Sequence, residues 1–439
     1  MIWLYRLLFP FGCLVGIPHY LMRMLRRGGY AEDFGHRLGL WPQLPEKSVN
    51  ARRIWIQAVS VGELLALGPL LKRLSEEGNI EIVLSTTTST GYRVARDRYS
   101  DLALAIGPFP LDFLPFSSRT WNRIKPDLAI LVDSELWPEH MHQARKREVP
   151  VIIVNGRISD RSLNRLGKAG CFRKLLVPPE LHVMACSVQE ADKWRQVGVL
   201  SEQLETSGNL KFDCQPEEIL DDEAKDDLLA EFGFISSGQE PRPLVLFGAS
   251  TWRGEEEALL QFLEDNDPEG PPVRLVLAPR HAERGDELAG LLRDRPINWR
   301  RRSNGAQTKG EDTQVYLADT TGELSRLIQV ADIVFVGKTL PPNQGGQNPV
   351  EAASLGIPVV FGPNTQNFSE MCRSLAETGA GIRVSDEEGL RRVLAGLVRD
   401  PEKRIAMGGA AHRWKEELEG ATDKTFDMLI RLLGNHSSH

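Results

Sequence analysis

Two carboxylates and a lysine follow apolar runs in the first half of the chain, where they could supply acid–base chemistry. Glu63 comes shortly after the run RIWIQAV, and its carboxylate can serve as a general base if it reaches a reacting hydroxyl. Asp133 ends the run DLAILVD and stands two residues before a second acid, Glu135. We expect one of the pair Asp133 and Glu135 to face the site and the other to have a structural role. Lys211 adds a cation at the end of this half.

The second half carries residue types that suit a phosphate. Asn348–Glu351 opens the helix NPVEAASLG in a capping-box arrangement, with Asn348 as the N-cap. Gly345 and Gly346 stand just ahead of it and let the backbone approach a ligand closely, while the amides of a helix N-terminus suit a phosphate. Capping alone would explain the helix start, but the glycine pair favours nucleotide binding.

Four further patterns are weaker indications of catalysis or binding. Ser60-x-x-Glu63 and Thr320-x-x-Glu323 repeat the capping-box spacing, so spacing alone favours helix stabilisation for both glutamates. Pro279-Arg280-His281 offers a fork for phosphate or a surface ion pair. Gly337-Lys338-Thr339 resembles the tail of a P-loop, but Asp332 stands where that motif needs glycine, which excludes a kinase or ATPase of that class. No histidine grouping predicts a metal, and nothing in the sequence predicts a cofactor.

The elements that must position these residues are parallel strands and crossover helices. Short β-branched runs alternate with longer amphipathic stretches twice along the chain, which predicts two doubly wound α/β domains. The runs begin at residues 53, 80, 127, 150 and 182, and then at 243, 273, 313, 332 and 358. Because ligands bind beyond the carboxyl ends of such strands, we expect the polar residues there to line one cleft between the domains.

The 439 residues carry 53 Lys and Arg against 60 Asp and Glu, a formal charge of −7, and 41% are hydrophobic. This composition predicts a soluble globular body and argues against a nucleic-acid binder. Five scattered cysteines (Cys13, Cys171, Cys186, Cys214 and Cys372) indicate no disulfide framework and favour a reducing compartment. We expect these divisions: anchor 1–27, first domain 28–215, acidic linker 216–242, second domain 243–410, and a C-terminal helix 411–439 crossing the domain junction.

The N-terminal segment departs from this composition. The uncharged run Leu7–Met22 is framed by aromatic residues and followed by Arg23, Arg26 and Arg27. It falls short of the ~20 residues that span a bilayer and contains two prolines, so a shallow anchor is as plausible as a span. The arginines predict that the rest of the chain stays cytoplasmic. A signal peptide, or an apolar helix packed on the body, is the alternative.

Eight strings together resemble one known family, the Kdo (3-deoxy-D-manno-octulosonic acid) transferases of lipopolysaccharide synthesis. They occur in order from the apolar N-terminus to about residue 384: WIQAVSVGE, SELWP, NGRISDRS, GNLKFD, PRHAER, DTTGEL, GGQNPVEAA and FGPNTQNF. The resemblance implies a GT-B glycosyltransferase with two Rossmann-like domains, at the cytoplasmic face of the bacterial inner membrane. It would transfer Kdo from CMP-Kdo, with inversion, to a lipid A precursor, the tetraacyldisaccharide 4'-phosphate lipid IVA.

The same resemblance implies roles for particular residues. Glu63 matches the family's general base, and Lys211 matches a position thought to stabilise the transition state. Asp133 stands where the family usually has a second catalytic Glu, so that carboxylate is one methylene shorter. The first domain would hold the acceptor and the second the sugar nucleotide. The implied CMP-binding residues are Pro279, Arg280, Thr321, Gly322, Glu323, Asn348, Pro349, Val350 and Glu351.

Two other departures from the family occur in the second half. Lys338-Thr339 stands where Gly-Ser is more frequent, and Gln347 where His often occurs. The shorter Asp133 leaves a second hypothesis open, in which a catalytically weakened homologue acts as a binding or assembly component. A third hypothesis keeps the GT-B class and changes the donor to another sugar nucleotide.

Overall fold

The computed structural model describes residues 1–12, 33–214, 219–234, 242–267, 269–305 and 312–435. The chain divides into two compact units. The first consists of Met1–Cys214 with Leu418–His439, and the second of Gln215–Glu417. Each unit is built around one parallel sheet, so the predicted α/β class is confirmed.

The first unit contains seven strands among its described residues: β1 (Arg52–Ala58), β2 (Ile80–Thr86), β3 (Ala105–Pro108), β4 (Leu128–Val132), β5 (Val151–Gly156), β6 (Leu181–Ala185) and β7 (Leu204–Thr206). Its helices are α1 (2–12), α2 (Val61–Ala66), α3 (Gly68–Glu76), α4 (Ser89–Tyr99), α5 (Leu114–Ile124), α6 (Pro138–Lys146), α7 (Asp160–Lys168), α8 (Arg173–Leu176) and α9 (Val188–Gln196).

The first sheet is parallel, with the strand order β3-β2-β1-β4-β5-β6-β7. The order reverses between β1 and β4, so the crossovers from these neighbours leave in opposite directions and open a crevice at their carboxyl ends. Central strands are covered on both faces, as β1 shows: Ile54 and Ile56 pack into one hydrophobic cluster and Trp55 into another. Two-sided burial explains the nearly continuous apolar run in the sequence.

The second unit repeats this plan. Its described strands are β8 (Leu244–Thr251), β9 (Val273–Pro279), β10 (Trp299–Arg301), β11 (Val315–Leu317), β12 (Ile333–Val336), β13 (Val359–Phe361) and β14 (Gly381–Arg383). Its helices are α10 (Asp222–Phe232), α11 (Glu255–Glu264), α12 (Gly285–Arg293), α13 (Leu324–Leu327), α14 (Val350–Ser354), α15 (Ser369–Glu377), α16 (Glu387–Arg399) and α17 (Pro401–Leu418). The parallel order is β10-β11-β9-β8-β12-β13-β14, which puts the reversal between β8 and β12.

The helix predicted over 411–439 is divided in two. α17 ends at Leu418, and α18 (Ala421–Asn435) begins after Gly420, whose φ of +95° breaks the helix. Asp213 accepts hydrogen bonds from the backbone N–H groups of Gly420 (2.8 Å) and Thr422. α18 then packs on α3, and Phe426 and Leu429 join the same hydrophobic cluster as Ile54.

α1 is attached to the first unit by polar contacts. Arg6 donates two hydrogen bonds to the fully buried carboxylate of Glu139, at 2.8 and 2.9 Å. The Tyr5 hydroxyl donates to Asp112 at 2.6 Å, and the rings of Phe9 and Phe113 stack with centroids 5.4 Å apart. Of the predicted anchor 1–27, residues 13–27 lie outside the described residues. Within the described part of the chain, no helix is long and apolar enough to cross a membrane.

Candidate functional site

Glu63 lies in the first turn of α2, just beyond the carboxyl end of β1. Ser60 is the N-cap: its hydroxyl accepts the Glu63 N–H at 3.4 Å and donates to the Glu63 carboxylate at 2.9 Å. The second carboxylate oxygen accepts the Val59 N–H at 2.7 Å. The Ser60 half of the predicted capping box is therefore present, whereas the Glu63 carboxylate accepts the N–H of Val59 and not that of Ser60, the N-cap. The same contacts hold the carboxylate at the strand end, where a base would be needed.

Asp133 follows β4, the neighbour of β1. Its Oδ1 accepts a hydrogen bond from the Asn155 amide at 2.9 Å, and its Oδ2 accepts two from the Arg157 guanidinium. The Asn155 oxygen in turn accepts the backbone N–H of Leu210 at 3.2 Å, in the turn Leu210–Phe212 that carries Lys211. Asp133 thus ties together the ends of β4 and β5 and the Lys211 turn.

Charges converge at this strand end. Burial raises the pKa of Glu63, and the Asp133 charge raises it further against the hydrogen bonds from Val59 and Ser60. Burial also lowers the pKa of Lys211, and the Arg157 cation adds to that effect. Glu63, Asp133 and Lys211, the three residues predicted to be catalytic, are therefore close enough for their charges to affect one another's pKa.

Glu135 is the second carboxylate of the pair discussed above. Burial, followed by the charge of Glu63, raises the pKa of Glu135 to about 7. Asp133 has both oxygens bonded, whereas Oε2 of Glu135 is buried and has no hydrogen-bond partner among the described residues. Asp133 consequently has the structural contacts, and Glu135 is the carboxyl group of the pair whose pKa is raised toward neutral pH by burial.

The equivalent edge of the second sheet is organised by Glu255, at the start of α11. Its buried carboxylate accepts the backbone N–H groups of Lys338 (2.7 Å), Thr339 (2.8 Å), Leu340 (3.0 Å) and Trp252 (2.9 Å). One side chain therefore fixes the loop after β12 to the turn after β8. Glu255 is not among the site residues predicted from the sequence; the acidic triplet Glu255–Glu257 shortly after β8 is the signal that could have indicated it.

Four of the eight described non-glycine residues with positive φ lie at these strand ends. Asp133, Asn155, Ser250 and Lys338 have φ between +54° and +60°, the left-handed region that non-glycine residues seldom adopt. Each lies at or just beyond the carboxyl end of β4, β5, β8 or β12. Such conformations cost free energy and tend to occur at functional sites, which marks the strand ends flanking both reversals.

The predicted nucleotide residues are placed as follows. Arg280 comes directly after β9; its backbone N–H donates to Thr251 at 3.1 Å, and no described carboxylate pairs with its exposed guanidinium. Glu323 is bound by Arg302 at 2.7 and 2.5 Å and by the Thr320 hydroxyl. These contacts, Arg302 first, lower the pKa of Glu323 to about 2. The Thr320-x-x-Glu323 box is not formed around α13, whose N-cap has no side-chain bond.

Of the capping box predicted at Asn348–Glu351, the Asn348 contact is formed and the Glu351 contact is not. The Asn348 oxygen accepts the Val350 N–H at 3.1 Å, but α14 begins at Val350 rather than at Pro349. Glu351 accepts a hydrogen bond from Ser325 instead of returning to the helix start. Its carboxylate is thus committed to a neighbouring helix. Gly345 and Gly346 both have positive φ, as a tight approach of the backbone requires.

Two doubly wound parallel sheets, each with polar residues gathered at its strand-order reversal, define the GT-B fold. A solved UDP-GlcNAc 2-epimerase from Neisseria meningitidis, bound to UDP-GlcNAc, has a TM-score of 0.60 with this chain at 14% identity. The match covers 86% of this chain and 100% of that one, and it shows the fold alone.

Sequence comparisons narrow the class. The family model described as 3-Deoxy-D-manno-octulosonic-acid transferase (kdotransferase) matches residues 32–214. The 3-deoxy-D-manno-octulosonic acid transferase of Haemophilus influenzae is 32% identical over 95% of this chain and 94% of its own length. That of Bordetella pertussis is 32% identical over 88% of each. The chain belongs to the Kdo transferase family, a group of glycosyltransferases, which confirms the resemblance described above.

Proposed function

We propose that the protein transfers Kdo from CMP-Kdo to a lipid A precursor, lipid IVA, with inversion at the anomeric carbon. Glu63 is the observation that carries this proposal. Its carboxylate is held at the strand-order reversal of the first sheet, with Asp133 and Lys211 within electrostatic reach. Open α/β sheets bind ligands at such a reversal, and Glu63 matches the family's general base.

In the reaction, ionised Glu63 takes the proton of an acceptor hydroxyl as that oxygen bonds to the anomeric carbon. The bond from that carbon to the phosphate oxygen breaks, and CMP leaves with the electron pair. Attack opposite the leaving group inverts the configuration. A raised pKa makes Glu63 a better proton acceptor once it is ionised. Lys211 is the nearby cation that offsets developing negative charge.

The residues proposed to bind the CMP moiety lie in the second unit. The guanidinium of Arg280, which pairs with no described carboxylate, suits the phosphate, and Gly345 and Gly346 turn the backbone at positive φ just ahead of α14. Thr321, Gly322 and the Arg302-bound Glu323 present a polar turn before α13. Pro349 and Val350 position the start of α14, beside Asn348 and Glu351.

We also propose that α1 holds the first unit against the cytoplasmic face of the inner membrane. The polar side of α1 is bound to the body through Arg6 and Tyr5, while its other side leaves large apolar groups in solvent. Trp3 is 72% exposed, and Leu7 and Phe11 are each 63% exposed. Such a helix gains free energy by burying this side at a lipid interface. A fixed apolar face would keep the enzyme near a lipid acceptor.

The central test measures CMP release from CMP-Kdo by the detergent-solubilised protein, with and without the tetra-acylated precursor. Wild type is compared with Glu63→Gln, which keeps an oxygen for the Val59 N–H but removes the base. Ser60→Ala is the matched control, because it weakens the same cap and leaves the carboxylate. Acceptor-dependent release that is lost in Glu63→Gln and retained in Ser60→Ala supports the proposal.

Other results distinguish the alternatives. Binding of CMP without any release from CMP-Kdo favours a weakened homologue or another donor sugar, and a panel of sugar nucleotides separates these two. Flotation with vesicles of phosphatidylethanolamine and phosphatidylglycerol tests the membrane proposal. Leu7→Ser with Phe11→Ser is expected to leave the protein unbound; unchanged flotation rejects the role of α1.

A further inference from the structure

A lysine and a tryptophan are paired at the strand-order reversal of the second sheet. Trp252 follows β8 directly, and Lys338 lies two residues beyond β12, the neighbouring strand. The Lys338 ammonium lies 4.5 Å from the centre of the Trp252 ring, within the range of a cation–π contact. His281, just beyond β9, meets the same ring edge-on at 5.4 Å. Three adjacent strands thus contribute one side chain each.

The backbone at Lys338 is held in a conformation that suits glycine better. Its φ is +60°, and its N–H is bound by the buried carboxylate of Glu255 at 2.7 Å. The preceding Gly337 lies so close to β8 that a Cβ there would stand 2.3 Å from the Ser250 carbonyl oxygen. The loop therefore cannot relax away from the sheet. A strained, pinned lysine where the family more often has glycine calls for a gain that offsets the strain.

The charge of Lys338 has no counter-ion among the residues that the structure describes. No carboxylate among the described residues lies within ion-pair distance of its ammonium, although the side chain is only half exposed. Glu255, which binds the Lys338 backbone N–H, uses its oxygens on four backbone N–H groups. The Trp252 ring orients the ammonium but supplies no negative charge. The three donors of the ammonium thus remain for an anion at the mouth of the crevice.

We propose that Lys338, oriented by Trp252, binds an anionic group of the sugar-nucleotide donor and thereby sets donor affinity. The proposal rests on the proposed function. It gives a physical reason for Lys338-Thr339 at the position where the family more often has Gly-Ser. Thr339 has a structural role, because its hydroxyl donates to the Val336 carbonyl at 2.7 Å and accepts the Gly362 N–H at 2.8 Å. Of the two residues, Lys338 is therefore the one proposed to contact the donor.

Two anionic groups of such a donor fit this chemistry, the phosphate of the nucleotide and the carboxylate of the sugar acid. They are separated by measuring CMP binding by calorimetry and CMP-Kdo turnover by CMP release. Lys338→Met removes the charge and keeps a chain that packs on Trp252. We expect the variant to raise the donor KM about 10- to 100-fold with kcat little changed, as for loss of one charge-assisted hydrogen bond. If Lys338→Met loses as much affinity for CMP as for CMP-Kdo, Lys338 binds the phosphate. If its affinity for CMP is unchanged, Lys338 binds the carboxylate of the sugar.

Two further variants control for fold and charge. Lys338→Gly fits φ of +60° without strain, so it is expected to lose donor affinity as Lys338→Met does while remaining folded. Arg253→Gln removes a nearby cation that is exposed and paired with Glu287, and is expected to leave the donor KM unchanged. Wild-type donor affinity is expected to fall with added salt more steeply than that of Lys338→Met.

The outcomes separate this inference from the proposed function. Lys338→Met with wild-type affinity for both CMP and CMP-Kdo overturns the inference and leaves the proposed function intact. A wild-type protein that binds CMP but does not turn over CMP-Kdo rejects the proposed function, and CMP binding by the variants then decides the role of Lys338 alone. A wild-type protein that binds neither ligand overturns both.

Discussion

Arg157 directs two N–H groups, from Nε at 2.8 Å and Nη2 at 2.5 Å, at a single oxygen of Asp133. The other Asp133 oxygen is occupied by the Asn155 amide. The carboxylate is therefore saturated by three donors from the next strand end, and its reach is matched to them. The family usually has the longer Glu at this position. The shorter Asp133 nevertheless reaches all three of its donors.

This match predicts the outcome of restoring the longer acid. We expect Asp133→Glu to lower kcat for CMP release by about tenfold or more, because the added methylene displaces a carboxylate that holds Arg157 and the Lys211 turn. Asp133→Asn should lose at least as much, since it leaves the Arg157 charge unpaired. If Asp133→Glu instead raised turnover from near zero, the weakened-homologue hypothesis would be favoured.

The pH dependence of the reaction follows from the carboxyl pair. Since the pKa of Glu63 is raised above its ordinary 4.5, its basic form is lost as pH falls through a value above 4.5, and kcat/KM should fall there. Above about pH 7, ionised Glu135 adds negative charge near Glu63, where we propose that the anionic acceptor binds, so KM should rise. In measured pH profiles, Glu135→Gln is expected to keep the fall of kcat/KM at low pH and to lose the rise of KM above about pH 7. Identical profiles would contradict this coupling.

Glu255 predicts a stability effect in the second unit. Glu255→Ala leaves four backbone N–H groups without their acceptor, which should lower the free energy of unfolding by about 3 kcal/mol or more and lower Tm by ~6 °C or more. Glu257→Ala, three residues into the same helix start, removes one exposed capping bond at 2.8 Å and should cost only about 1 kcal/mol. Equal Tm losses in thermal melts would show that Glu255 does not pin the loop.

The attachment of α1 is testable without lipid. Arg6→Met strips the fully buried Glu139 of its cation, which typically costs about 3–5 kcal/mol, with only the Gln143 amide still donating to it. We expect earlier urea unfolding and faster proteolysis of α1. Leu7→Ser, on the exposed side, should change stability by less than about 0.5 kcal/mol. Adding Glu139→Leu to Arg6→Met should recover most of the loss; a failure to do so would place the attachment elsewhere.

The sequence predicted the centre of each sheet better than its edges. All ten apolar runs identified from the sequence lie on strands, from Arg53 in β1 to Pro358 before β13. The four strands that were missed, β3, β7, β10 and β14, are the outermost strands of the two sheets. An edge strand is short, pairs on one side and needs no continuous apolar run, so its pattern is weak.

The candidate site was predicted by residue type and position, but its pairings were not. Glu63, Asp133 and Lys211 were recognisable because each follows a strand or closes the half. Asp133 has both oxygens bonded, and its partner Asn155 shares its positive φ, a backbone conformation that the sequence does not indicate. Likewise, Glu255 reaches a loop about 85 residues away in sequence, and nothing local in the sequence predicts that contact.

The position of α18 affects how the chain folds as it is synthesised. The ribosome produces β1 and α3 first, yet Phe426, Leu429 and Leu433, which pack in the same cluster, are made almost last. Domains otherwise tend to fold as units during synthesis, the N-terminal one first. Here the earlier unit keeps one face of its core open until the whole later unit has been translated. Nascent chains stalled before residue 421 should therefore recruit chaperones through that face.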